Sequence, residues 1–65
     1  MYDLKLRLVK INKKQVDIIK ELAEQGIVVA PADLSGAIAG YRTGAKVDFI
    51  LAEADRIVRR WENEI

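Results

Sequence analysis

The sequence predicts an all-α fold, a compact bundle of helices in a single domain that spans residues 1–65. Two stretches carry apolar side chains three and four residues apart, which is the spacing of an amphipathic helix. Apolar residues make up 51% of the chain and charged residues 32%, a composition typical of a globular protein. Because cysteine and histidine are absent, disulfides and Cys/His zinc sites are excluded, so helix packing or self-association must supply the stability.

The first segment, YDLKLRLVKI at residues 2–11, fits two kinds of structure. Leu4, Leu8 and Ile11 fall at i, i+4 and i+7, which places them on one face of a helix. The same stretch alternates leucine with a basic residue from position 4 to position 8, and alternation of this kind is typical of a strand. The residues by themselves leave helix and strand open.

A helix of about 13 residues is predicted next, in KKQVDIIKELAEQ, with Asn12 as its N-cap. One stripe of this helix is apolar and is expected to face the core; it consists of Val16, Ile19, Leu22 and Ala23, with Ile18 beside it. Gly26 ends the helix, since glycine adopts the left-handed conformation that closes many helices.

An extended connection and a short helix follow. The run Ile27-Val28-Val29 is β-branched throughout, which disfavours helix. Pro31 suits the first turn of a new helix, where its missing N–H costs nothing. Leu34 and Ile38 are its predicted buried pair, and Gly40 ends it.

Residues 45–62 show the strongest helical periodicity in the chain. The predicted core face comprises Val47, Ile50, Leu51, Ala54, Ile57, Val58 and Trp61. The charged residues are expected mostly on the opposite side: Asp48, Glu53, Asp55, Arg56, Arg59, Arg60 and Glu62. The three arginines are predicted to oppose the negative end of the helix dipole, and Trp61 to lie in the core or in a dimer interface.

Charge is distributed unevenly along the chain although the net charge is only +1. Residues 1–20 contain six basic and two acidic residues, whereas residues 21–40 contain three acidic residues and no basic one. A basic face attracts phosphate even when the total charge is near zero. Since no catalytic constellation, cofactor motif, metal-ligand spacing, signal peptide or membrane-length apolar run is present, we expect a cytoplasmic binding protein that is not an enzyme.

Two successive short helices followed by a third are a known means of placing a helix in the major groove of DNA. The N-terminus of the first helix would approach phosphate, with Lys13, Lys14 and Gln15 beside it. The second would present its outward residues, Ala32, Asp33, Ser35, Gly36 and Ala39. The turn after it supplies Arg42, Thr43 and Lys46 for phosphates or the groove rim.

The segments INKKQVDIIKELAEQGI and PADLSGAIAG, with the turn leading into ILAEADRIV, resemble the lambda-repressor-like, Cro-type helix-turn-helix regulators of phages and mobile elements. Gln15 opens a helix, Leu22-Ala23 precedes Gly26, and Leu34-Ser35 precedes Ile38-Ala39-Gly40. The resemblance covers roughly residues 3–60. It implies a bundle of four to five helices in which the first stretch is helical, and it places Gln15, Ser35 and the outward positions of the third helix toward DNA.

Three functional hypotheses follow. The first is a transcriptional regulator, such as a repressor, that binds double-stranded DNA as a homodimer, because one small module buries too little surface for a tight specific site. The second is an antirepressor-like interaction module whose small third helix packs on a protein partner. The third is a ribbon-helix-helix dimer with Lys5 and Arg7 in the groove. Residues 31–40 contain no Arg, Lys, Asn or Gln, so base reading would depend on Gln15, Arg42 or DNA shape.

Overall fold

The computed structural model of the protein describes residues 3–64, which form four helices: α1 (Leu4–Lys10), α2 (Gln15–Glu24), α3 (Pro31–Ala39) and α4 (Ala45–Asn63). No strand occurs in this part of the chain, so the all-α prediction is confirmed. The strand interpretation of the first segment is wrong, and the ribbon-helix-helix hypothesis falls with it. None of the four helices combines the length and apolar character that crossing a bilayer requires.

The core is assembled around α4, which contacts each of the other three helices, while α2 also contacts α3. Leu8 of α1, Leu22 of α2, Leu34 of α3 and Val58 of α4 are all buried in one cluster. Trp61 belongs to the same cluster, which confirms its predicted place in the core. Tyr2 and Ile65 are also candidates, by their apolar character, to close the core or to form an interface, and both lie outside the described residues.

The turn between α1 and α2 corrects the predicted start of α2. Asn12 is not the N-cap: it adopts a left-handed conformation, with φ at 58°, which asparagine tolerates better than most residues. The N-cap is Lys14, whose backbone N–H donates to the Asp17 carboxylate at 2.9 Å. The turn takes Lys13 and Lys14 out of the predicted helix and Gln25 becomes its C-cap, so α2 has 10 residues rather than about 13.

The buried face of α2 also differs from the predicted stripe. Ile18 and Leu22 are fully buried, whereas Val16 is 48% exposed and Ala23 is exposed. The apolar residues of this helix cover more than one face, so periodicity alone does not select which side packs inward. Packing against α3 and α4 selects the side with two large aliphatic residues at i and i+4.

The glycines that were predicted to end α2 and α3 do so. Gly26 has φ at 82°, and the Ile27 N–H donates to the Leu22 carbonyl at 2.8 Å, a Schellman closure. Gly40 ends α3 in the same conformation, with φ at 87°. Within α3 the buried pair is Leu34 and Ala37, and Ile38 is only half-buried, because α3 meets the core at i and i+3 rather than i and i+4.

An ion-pair network ties α1 to α4. Arg7 donates to Glu62 through two hydrogen bonds and to Asp55 through a third, at 2.6 Å. Asp55 also accepts from Arg59 at 2.8 Å. The prediction of an outward Asp55 is wrong, since this residue is only 6% exposed; Arg7 and Arg59 supply the hydrogen bonds that a buried carboxylate needs. The hydrogen bonds from Arg7 lower the pKa of Glu62 below its ordinary value.

Candidate nucleic-acid interface

An open groove with a basic lining lies between α1 and the start of α2. Lys5, Lys13 and Lys14 line it together with Leu8, Val9 and Gln15, and its lining contains no acidic residue. The three lysines are exposed, whereas Gln15, the first residue of α2, is half-buried. We call this feature the basic groove. The basic groove contains three of the predicted DNA-binding residues, Lys13, Lys14 and Gln15. It also contains Lys5, which the sequence connects only with the ribbon-helix-helix hypothesis.

Two contacts shape the basic groove. The Lys13 ammonium lies over the Trp61 ring, 5.0 Å from its centroid, a cation–π contact that restricts the lysine. The Lys14 backbone N–H is already used by the Asp17 carboxylate. The amide of Lys14 is therefore not free to bind an anion in this groove.

Lysines and arginines occupy different electrostatic situations in this protein. All five arginines form salt bridges: Arg7, Arg42, Arg56, Arg59 and Arg60. Within residues 3–64, none of the six lysines has a carboxylate oxygen within 4.0 Å. In this part of the chain the positive charge without a carboxylate partner is therefore carried by lysine, and three of the six lysines line the basic groove.

The outer surface of α3 is small, and Arg42 covers part of it. The predicted outward residues Ala32, Asp33, Ser35 and Ala39 are exposed, but Gly36 is half-buried. A Cβ placed on Gly36 would lie 2.9 Å from Nε of Arg42 and 3.1 Å from its Cδ and Cγ. The same side chain reaches Asp33, with Nη2 of Arg42 at 3.4 Å from Oδ1. The Arg42 side chain therefore lies across α3, and Gly36 is not the open contact surface that the sequence predicted.

Arg42 and Lys46 share a second depression, between α3 and α4, whose lining also includes Asp33, Ala37, Val47 and Ile50. Thr43 is exposed in the connection that precedes α4. The predicted site residues are thus brought together in two groups: those of the basic groove, and those on or beside the surface of α3 that the Arg42 side chain covers.

Comparison with known proteins adds no family to this description: no family model matches the chain, and no curated protein or solved structure matches it.

Proposed function

We propose that this protein is a DNA-binding transcriptional regulator in which α2 and α3 act as a helix-turn-helix on duplex DNA. The observation that carries the proposal is the basic groove, where Lys5, Lys13 and Lys14 line one concave surface with no acidic residue. Helix-turn-helix proteins bring this region, the start of the first helix of the motif, against the DNA backbone. Lysines without carboxylate partners bind phosphate and release its counterions.

The difference between paired arginines and unpaired lysines supports phosphate binding more than the net charge of the chain does. Arginines on α4 are neutralised by neighbouring acids, as in the Arg56–Glu53 pair at 3.0 Å. Such an arginine gains less from a phosphate than an unpaired lysine does, because the neighbouring carboxylate competes with the phosphate for it. Lys13 offers the opposite case, since the Trp61 ring holds its ammonium without neutralising it.

The surface of α3 is compatible with a close approach to base edges. Ala32, Ser35 and Ala39 are short and exposed, so these positions add little bulk to the surface that would enter the major groove. Asp33 would repel DNA if it stood alone, but its carboxylate is paired with Arg42. As in other small modules, we propose that a homodimer supplies the surface that one copy lacks.

The interaction-module hypothesis depends on a smooth, small α3 face to which Gly36, Ala39 and Gly40 contribute. The Arg42 side chain crosses that position, so the face is occupied by a charged group instead of being free for close helix packing. We therefore place the DNA-binding function first.

The experiment that tests the proposal compares two double variants with equal charge loss. Lys13→Gln/Lys14→Gln removes cations from the basic groove, whereas Lys10→Gln/Lys20→Gln removes two exposed lysines outside it. Fluorescence anisotropy measures binding to a random-sequence duplex. We expect the groove variant to lose about tenfold in affinity per phosphate contact near about 0.1 M salt, and the control to lose much less. Equal losses, or no binding by the unmodified protein, would contradict the proposal.

A further inference from the structure

Arg42 is the one arginine that lies on α3, although it comes from the connection that follows this helix. Its Nε, Cδ and Cγ atoms are the nearest neighbours of the Gly36 Cβ position, which shows that the aliphatic stem runs along the helix surface. Side chains of Arg42 and Asp33 remain 53% and 52% exposed. The guanidinium is therefore both directed by the protein and open to a ligand.

Gly36 explains how this placement is possible. Glycine inside a helix is unfavourable relative to alanine, so its presence in the middle of α3 requires a reason. Its backbone is ordinary helix, unlike the positive φ of Gly26 and Gly40. We take the reason to be space, because a Cβ at Gly36 would lie 2.9 Å from Nε of Arg42 and would force that side chain to shift from its place on the helix.

Asp33 orients the Arg42 guanidinium. At 3.4 Å and half-exposed on both sides, the Asp33–Arg42 pair adds little to stability. Guanidinium has five N–H donors in a rigid plane, so one of them can donate to Asp33 while others donate elsewhere. Asp33 thus acts as a positioning residue that holds the Arg42 guanidinium against α3.

We infer that Arg42 is the principal base-reading side chain of the protein and recognises guanine in the major groove, seated on α3 by Gly36 and oriented by Asp33. This inference rests on the proposed DNA-binding function. Arginine donating to O6 and N7 of guanine is the commonest specific contact in the major groove. None of the residues of α3 is Arg, Lys, Asn or Gln. The Arg42 side chain, packed over Gly36, therefore gives α3 the base-reading group that its own residues lack.

The test begins by selecting the preferred duplex from a randomised pool and replacing its G·C pairs one at a time with A·T. We expect one guanine to be worth about 5- to 150-fold in affinity for the unmodified protein. Arg42→Met should abolish that preference, since methionine cannot donate to guanine. Arg56→Met, the matched loss of an exposed arginine, should leave it unchanged.

Variants at Gly36 and Asp33 test how the Arg42 side chain is placed on α3. Gly36→Ala should weaken the guanine preference while the protein stays folded, and it should have no further effect in an Arg42→Met background, because it acts through Arg42. Asp33→Asn should weaken the preference, and Asp33→Glu should restore part of it. A guanine preference that survives Arg42→Met would overturn this inference alone if salt-sensitive binding to random DNA persists. Absence of any DNA binding by the unmodified protein would overturn both proposals.

Discussion

Arg7 and Glu62, 55 residues apart in the chain, are joined by two parallel hydrogen bonds, from Nε to Oε2 at 3.0 Å and from Nη2 to Oε1 at 2.8 Å. A fork of this kind fixes orientation as well as distance. It attaches α1, a helix of only seven residues, to the last turns of α4. A helix this short does not form by itself in water, so tertiary contacts such as this pair must stabilise it.

We predict that Arg7→Met lowers the free energy of unfolding by about 2 kcal/mol. The substitution removes the contacts to Glu62 and leaves Asp55, which is buried, with Arg59 as its remaining partner. Urea denaturation followed by circular dichroism measures the change. The control is Arg56→Met, which breaks an exposed pair with Glu53 and should change stability by no more than about 0.5 kcal/mol. Equal effects of the two substitutions would contradict this role for Arg7.

Acid stability should depend on the same pair. Hydrogen bonding from Arg7 lowers the pKa of Glu62 below its ordinary value of 4.5. A group whose pKa is lowered by folding stabilises the protein above its unfolded-state pKa, and that contribution is lost as the pH falls through the folded-state pKa. The urea midpoint should therefore fall as the pH is lowered below the ordinary pKa of a glutamate, and less steeply in Glu62→Gln. An identical acid profile for the variant and the unmodified protein would count against the pair.

The glycines Gly26 and Gly36 should respond in opposite ways to replacement by alanine. Gly26 has φ at 82°, so Gly26→Ala introduces backbone strain of about 1–2 kcal/mol although the surrounding space is open. Gly36 is helical, so Gly36→Ala should change stability by less than about 1 kcal/mol, in the favourable direction, once the flexible Arg42 side chain moves. Thermal unfolding distinguishes the two, and the reverse order would show that Arg42 is held rigidly.

How far the sequence predicts the fold depends on whether the relevant contact is local. The boundaries set by Gly26, Pro31 and Gly40 follow from backbone chemistry, and the structure confirms them. The first segment was ambiguous because its leucines satisfy both periods. Arg7 in this segment pairs with Glu62 at the other end of the chain, and no local pattern predicts that contact.

Asp55 shows a different limit. Its spacing from Leu51 and Val58 places it on the core face of α4, but its charge argued for the outward face. Arg59 on the same helix and Arg7 from another helix together make its burial favourable, and the contact with Arg7 is not visible in any local pattern. No local pattern predicts that the Arg42 side chain lies over Gly36. A glycine in the middle of a predicted helix does, however, indicate that another group packs closely against the helix there.

Trp61 provides an internal reporter, since it is the only tryptophan in the chain. The Lys13 ammonium lies 5.0 Å from its ring, and a phosphate in the basic groove would draw that charge away. We predict that duplex DNA changes the fluorescence intensity of Trp61 and that Lys13→Gln removes most of the response. Arg56→Met serves as the control and should keep it. Binding that anisotropy detects without any change at Trp61 would place the DNA elsewhere on the protein.

The most direct test of the central claim is the salt dependence of binding to a random-sequence duplex. Lys5, Lys13 and Lys14 line the basic groove, so three phosphate contacts predict, for each bound protomer, a slope of about −3 for the logarithm of the association constant against the logarithm of salt concentration. Lys13→Gln/Lys14→Gln should reduce that slope by about 2. No binding at low salt, or an affinity that does not change with salt, would contradict the claim that this groove binds DNA.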